Sequence, residues 1–247
     1  MTKRLFFIIT GIVTFLLGGF AVLIFQVQPQ VPNKVEITEP QVIPEYNFDC
    51  KKSRIFPGVS KPLLEIKKYK NGFFPINAFN DGWQNFDASI NNWYGKHLKQ
   101  MNERSLLNVS DENKEVYRFL WLRTFDHPVS VRLERDGYSF KLTSVELDGA
   151  GGYEPGKLFR TDNVQISRDQ WCAFMALLEN SLFWSQETNS RDDSGNDGSQ
   201  WVLEGVRGGR YHIVDRWTPM SGGFREACLF LLKLSGREPE SLRQDLY

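Results

Sequence analysis

Leu5 to Phe25 reads LFFIITGIVTFLLGGFAVLIF, a run of 21 residues without a charge. At about 1.5 Å per residue a helix of this length spans roughly 30 Å, the hydrocarbon thickness of a bilayer. Gly11, Gly18 and Gly19 are tolerated in such a helix and form no GxxxG pair. A cleaved signal peptide is the competing reading. It calls for a shorter apolar region and a small-residue exit, whereas Gln26-Val27-Gln28-Pro29 follow here. The sequence therefore predicts a retained transmembrane anchor over 5–25.

Lys3 and Arg4 precede this run, and the first basic residue after it is Lys34. The positive-inside rule then places residues 1–4 in the cytoplasm. The remainder is expected outside the inner membrane, on the periplasmic or extracytoplasmic side. Pro29, Pro32, Pro40 and Pro44 space the stretch 26–46 as an extended, semi-rigid linker. Residues 47–247 are long enough for one domain with a real core.

Lys plus Arg number 30 and Asp plus Glu number 30, so the formal net charge is zero. A nucleic-acid binder carries a basic excess to neutralise phosphates, and its absence argues against that class. Aromatic residues make up 14% of the chain. Such side chains fill cores and also build binding faces. Cys50, Cys172 and Cys228 are odd in number and contain no CxxC pair. Cys172 and Cys228 sit in apolar helical patterns, where a free Cys behaves as a small hydrophobe. A Cys172–Cys228 disulfide stays open for a domain in an oxidising compartment.

The periodicity of 47–247 predicts an α+β domain, with a mostly antiparallel sheet of five or six strands and about three helices. Asp87 caps a first helix running to about Leu107, with Ile90, Tyr94, His97, Leu98 and Met101 on one face. Glu115 to Phe125 is apolar on both parities, as in a central strand covered on both faces. A helix after Ser110 is the alternative. Val129, Val131 and Leu133 alternate with polar residues up to Asp136-Gly137, read as a two-residue type I′ turn. Counting outward pairs Leu133 with Phe140, Val131 with Leu142, and Arg132 with Lys141. Ser167 caps a helix bearing Trp171, Phe174, Met175 and Leu178. Trp201–Val206 and Arg210–Trp217 form a second hairpin turning at Gly208-Gly209. Gly222-Gly223 open a last helix with Phe224, Cys228, Leu231 and Leu234, and Gly236 stops it.

Candidate chemistry is sparse. His97, His127 and His212 are the only histidines, and no G-x-S-x-G elbow supplies a serine nucleophile. Glu204 and Asp215 fall on one face of the second hairpin. With His212 they are the candidates for a carboxylate- and histidine-dependent hydrolase. The same face holds Val202, Val206, Tyr211, Ile213 and Trp217, so a structural ion-pair network with Arg207 or Arg216 is the other reading. Tyr153, Glu154 and Trp217 are the candidates for a small-ligand or lipid pocket. Asp193 and Asp197 match part of a calcium loop, but Gly195 stands where an oxygen ligand is needed. Gly149-Ala150-Gly151-Gly152-Tyr153-Glu154-Pro155-Gly156 lacks the Lys-Ser/Thr ending of a P-loop and reads as a turn needing positive φ. No motif calls for a cofactor.

Three blocks carry a resemblance. They are Tyr117 to Phe125 with His127-Pro128, then Gly151 to Gly156, then Asp197 to Gly205 with Tyr211 to Trp217. From about residue 90 to 235 the chain resembles a family of small bacterial proteins, often with an N-terminal hydrophobic segment, for which no activity is known. The resemblance implies membership and brings no active site. Together these features predict a single-pass, membrane-anchored interaction or structural module of the cell envelope. Its expected partners are the bilayer and another envelope protein. The hydrolase and the ligand-binding domain are the alternatives.

Overall fold

The computed structural model describes residues 60–79, 86–189 and 197–237. All of them fall within one unit, Glu45–Tyr247. The apolar run 5–25, the linker 26–46, Cys50 and Asp193 lie outside the described residues. Among the described residues no helix is long and apolar enough to cross a membrane.

The elements in chain order are β1 (Lys61–Pro62), α1 (Phe86–Gln100), β2 (Glu115–Arg123), β3 (Val129–Asp136), β4 (Ser139–Leu147) and β5 (Leu158–Gln165). Then come α2 (Arg168–Asn180), β6 (Ser199–Arg207), β7 (Arg210–Trp217) and α3 (Gly223–Leu234). The strands form one antiparallel sheet in the order β1-β7-β6-β2-β3-β4-β5. Among the described residues the architecture is α+β with three α-helices, but the sheet has seven strands rather than five or six. The unexpected strands are the two at the edges, β1 and β5. Strand β1 has only two residues, and β5 packs only Val164 against the core, so no apolar alternation marks either in sequence.

Strand β2 lies at the middle, and all of its residues but Arg123 are buried. Tyr117, Phe119 and Trp121 point into a core closed by α2 and α3. Val116, Leu120 and Leu122 point into a second core closed by α1 and the segment before it. Successive strand side chains alternate between faces, so a strand covered twice reads as apolar on both parities. In the second core Phe74, Phe79 and Tyr94 meet edge to face, with ring centroids 5.2–6.1 Å apart. Such pairs add about 0.5–1.5 kcal/mol each beyond area burial.

Helix α2 forms as its sequence requires. Ser167 and Gln170 make a reciprocal capping box, and Trp171, Phe174, Met175 and Leu178 are all buried. Helix α3 ends before Gly236, which adopts φ 66°. Helix α1 is shorter than expected: it stops at Gln100, and Asn102 takes φ 56°. Asp87 lies inside it rather than capping it. Its carboxylate accepts from Tyr69 Oη and from the amides of Asn77 and Phe79, at 2.8–2.9 Å, and so fastens the preceding segment to the helix.

The β3–β4 hairpin turns one residue later than the sequence suggests. Asp136 pairs with Ser139, leaving Gly137 and Tyr138 as the turn. Gly137 has φ 60° and Tyr138 has no positive φ, the II′ pattern rather than I′. The register is displaced by two, so Leu133 faces Leu142 and Val131 faces Ser144. A shift of two keeps every side chain on its face. It also removes the expected clash of like charges, because Glu134, not Arg132, stands opposite Lys141. The β6–β7 hairpin turns at Gly208 and Gly209 as expected, both with positive φ.

Cys172 is disulfide-bonded, whereas Cys228 is free and fully buried in α3. The Cys172–Cys228 bond therefore does not form.

Candidate functional site

The carboxylates of Glu204 and Asp215 do share a face of the sheet, the one under α1. Glu204 is cross-strand from Arg118 on one side and from Ile213 on the other. Arg118 donates from Nε (2.9 Å) and Nη2 to Glu204 Oε2, and Tyr211 Oη donates to Oε1 at 2.8 Å. Burial pushes the Glu204 carboxyl up, against the opposing pull of Arg118 and Tyr211. Arg118 also donates to the Arg104 carbonyl (2.6 Å) and reaches Glu103, which in turn receives Arg132 Nε at 2.9 Å. Arg118 and Glu204 are within 1% of complete burial. The network expected for Glu204 is present, but its cation is Arg118. Arg207 lies near Glu115, and Arg216 bonds Gln186 and the Thr188 carbonyl.

Asp215 is engaged separately. It accepts from Tyr94 Oη at 3.0 Å and from Gln200 Nε2, and its own amide donates to the Thr188 carbonyl. Burial raises the Tyr94 phenol well above its ordinary value, with Asp215 adding to the effect, so the phenol remains a donor. His212 points the other way. It is odd to the parity of Tyr211 and Ile213 and lies among the rings of Phe183 (5.0 Å) and Trp184 (6.1 Å) under α2. Burial pushes its imidazole down to about 4. The sheet thus separates His212 from Glu204 and Asp215.

The remaining candidates gather elsewhere. Strands β2, β4 and β7 end, and β3, β5 and β6 begin, at one end of the sheet. There the Gly149–Gly156 loop folds back on the end of β2: the amides of Gly151 and Gly152 donate to the Asp126 and Thr124 carbonyls. Trp93 Nε1 donates to the Gly151 carbonyl at 3.0 Å, and Lys96 pairs with Glu154 at 2.9 Å, tying the loop to α1. A Cβ on Gly151 would lie 2.6 Å from the Leu122 and Arg123 backbone, and one on Gly149 would lie 2.2 Å from the Glu154 carbonyl. Close backbone approach, rather than positive φ, requires these glycines. Only Gly156 of the four adopts positive φ.

This fixed loop presents Tyr153, 58% exposed, beside Phe125, 66% exposed, with ring centroids 6.1 Å apart. His127 and Phe159 form a second ring pair at 5.2 Å. Leu158 and Met220 are exposed at the same end. Trp217 closes β7 there, half-buried, with its ring against Gly198. Asp197 is exposed beside it, and its proposed calcium partner Asp193 lies outside the described residues. Phe125, expected to close a strand covered on both faces, lies beyond the end of β2 and is exposed, and no sequence pattern singled out Phe159. Phe125 continues the apolar parity of β2 and was legible as exposed only from Asp126-His127-Pro128 behind it, which ends the strand.

Comparison with protein-family models, with curated proteins and with solved structures finds no match to this chain.

Proposed function

We propose that the chain is a membrane-anchored interaction module of the cell envelope, which holds another envelope protein through the aromatic end of its sheet. The observation that carries this reading is the pair Phe125 and Tyr153, both exposed with ring centroids 6.1 Å apart, together with exposed Phe159 at the start of β5 against His127, at the same end of the sheet. Exposed apolar groups gathered in this way mark interaction sites. Aromatic side chains supply much contact area for little lost freedom. The loop beneath is pinned to β2 and α1, so little ordering is needed on binding. The uncharged run 5–25 with Lys3 and Arg4 before it supports an inner-membrane anchor with the domain outside. The disulfide at Cys172 fits an oxidising compartment. Against a hydrolase stand the engagement of both oxygens of Glu204 and the position of His212 across the sheet.

A photo-reactive residue placed at 125 or 153 in living cells tests this reading. A protein adduct is expected from both positions and not from 138, a fully exposed tyrosine on the turn at the opposite end of the sheet. Equal labelling from all three, or none from 125 and 153, would overturn it.

A further inference from the structure

The two edges of the sheet are built differently. At one, β1 is two residues long, includes a proline, and passes at once into a 3-10 turn at Leu63–Glu65. Short, proline-bearing edges resist pairing with another chain. At the other, β5 runs from Leu158 to Gln165 with no lysine or proline; its register against β4 shifts between Arg160 and Leu158 and is regular over Arg160–Gln165, and every one of its residues is exposed or half-exposed. Among the described strands its one neighbour is β4.

The direction of its backbone groups follows from one hydrogen bond. The Ile166 amide donates to the Phe140 carbonyl at 3.0 Å, so 140 and 166 form a hydrogen-bonded pair. In an antiparallel ladder such pairs alternate. With Leu142 opposite Val164 and Ser144 opposite Asp162, the amides and carbonyls of 162 and 164 face β4. Those of Thr161, Asn163 and Gln165 face away from the sheet.

We propose that β5 is a self-docking strand: two copies of this chain pair antiparallel along it, with Thr161 of each copy opposite Thr161 of the other. Outward-facing residues must meet outward-facing residues, which limits the two-fold alignments to those centred on a residue. Centring on Arg160 sets arginine against arginine, and centring on Asp162 sets aspartate against aspartate. Centring on Asn163 places Asp162 against Val164. Centring on Thr161 sets Arg160 against Asp162 of the second copy, twice by symmetry. Opposite charges directly across a ladder stabilise it, and like charges do the reverse.

The side chains are already in place. Arg160 is exposed and bonds Asp162 of its own strand at 2.7 Å, while Arg237 holds the same carboxylate at 2.8 Å. Pairing extends this row across the two-fold. The axis keeps the α2–α3 layers of both copies on one side of the joined sheet. This proposal concerns β5 alone and does not depend on what the aromatic end binds.

The test is cysteine cross-linking in the full chain. Facing residues of a hydrogen-bonded pair lie about 5.5 Å apart at Cα, within reach of a disulfide. Thr161→Cys is expected to give a covalent dimer on a non-reducing gel after mild oxidation, and Tyr138→Cys is expected to give none. Adding Arg160→Asp to Thr161→Cys should lower the dimer fraction about tenfold, as two attractive pairs become repulsive. Mixing that chain with Thr161→Cys carrying Asp162→Arg should restore it, because each arginine again meets an aspartate. The proposal fails if Thr161→Cys yields no more dimer than Tyr138→Cys, or if Arg160→Asp leaves the dimer fraction unchanged.

Discussion

Arg118 on β2 and Glu204 on β6 stand directly opposite one another, and two guanidinium nitrogens of Arg118 converge on one oxygen of Glu204 beneath α1. Both side chains are out of contact with water. Taking Glu204 away leaves the buried guanidinium with only Glu103 and the Arg104 carbonyl to answer its charge. Glu204→Ala should therefore cost about 3–5 kcal/mol of folding stability. The paired replacement Arg118→Met with Glu204→Leu should recover most of that loss, since an apolar pair of similar volume needs no desolvation. Urea unfolding of the unaltered chain and the two variants measures this. A double variant no more stable than Glu204→Ala would mean that Arg118 is held chiefly by Glu103 and the Arg104 carbonyl.

Stability should fall in mild acid, and His212 should account for much of the fall. An imidazole titrates near 6.5 in the unfolded chain, and burial lowers that of His212 to about 4 in the fold. Above 6.5 the site is neutral in both states and its contribution is complete. Between 6.5 and 4 the unfolded chain takes the proton first, and up to roughly 3 kcal/mol is lost. His97, also lowered by burial, acts in the same direction. Thermal unfolding from pH 7 to 4 should show a shallower decline for His212→Gln. An unchanged slope would remove His212 from the account.

Two glycines separate close approach from backbone conformation. Gly151→Ala forces a Cβ to within 2.6 Å of the β2 backbone, so the loop must move. A loss of about 1–3 kcal/mol is expected, together with weaker adduct formation from position 153. Gly137→Ala meets no atom within 4 Å and bears only the strain of φ 60°. About 1–2 kcal/mol is expected there, with cross-linking from 153 intact. The comparison of adduct yields, rather than of melting temperatures, distinguishes the two.

The cysteines should differ in reactivity. Cys228 is fully buried, and burial pushes its thiol well above the ordinary value. It should resist alkylation in the native protein and react once the chain is unfolded. Peptide mapping without reductant should recover Cys172 in a disulfide adduct. Recovery of a Cys172–Cys228 peptide would contradict the fold.

Much of this domain was determined locally. The Ser167–Gln170 box starts α2, Gly236 stops α3, Gly208-Gly209 turn the last hairpin, and β2 reads as doubly covered, because caps, turns and burial periodicity act within a few residues. The pairing of Glu204 and Asp215 on one face, with His212 on the other, was also implicit in strand alternation. Tertiary structure decided the rest. The partner of Glu204 lies 86 positions away in sequence, and any nearby arginine satisfied the local pattern equally well. Gly151 and Gly152 answer to the backbone at the end of β2, and Gly149 to the returning backbone of its own loop at Glu154-Pro155, which no turn rule contains. The turn at Gly137-Tyr138 was set by the register of strands whose faces tolerate a two-residue slip. The edge strand β5 leaves no periodic trace because it buries so little. Only its place at the end of the sheet makes the alternating charge of Arg160 and Asp162 meaningful. Local sequence specifies conformation wherever the energy is local, and the packing of distant segments decides which of the permitted contacts exist.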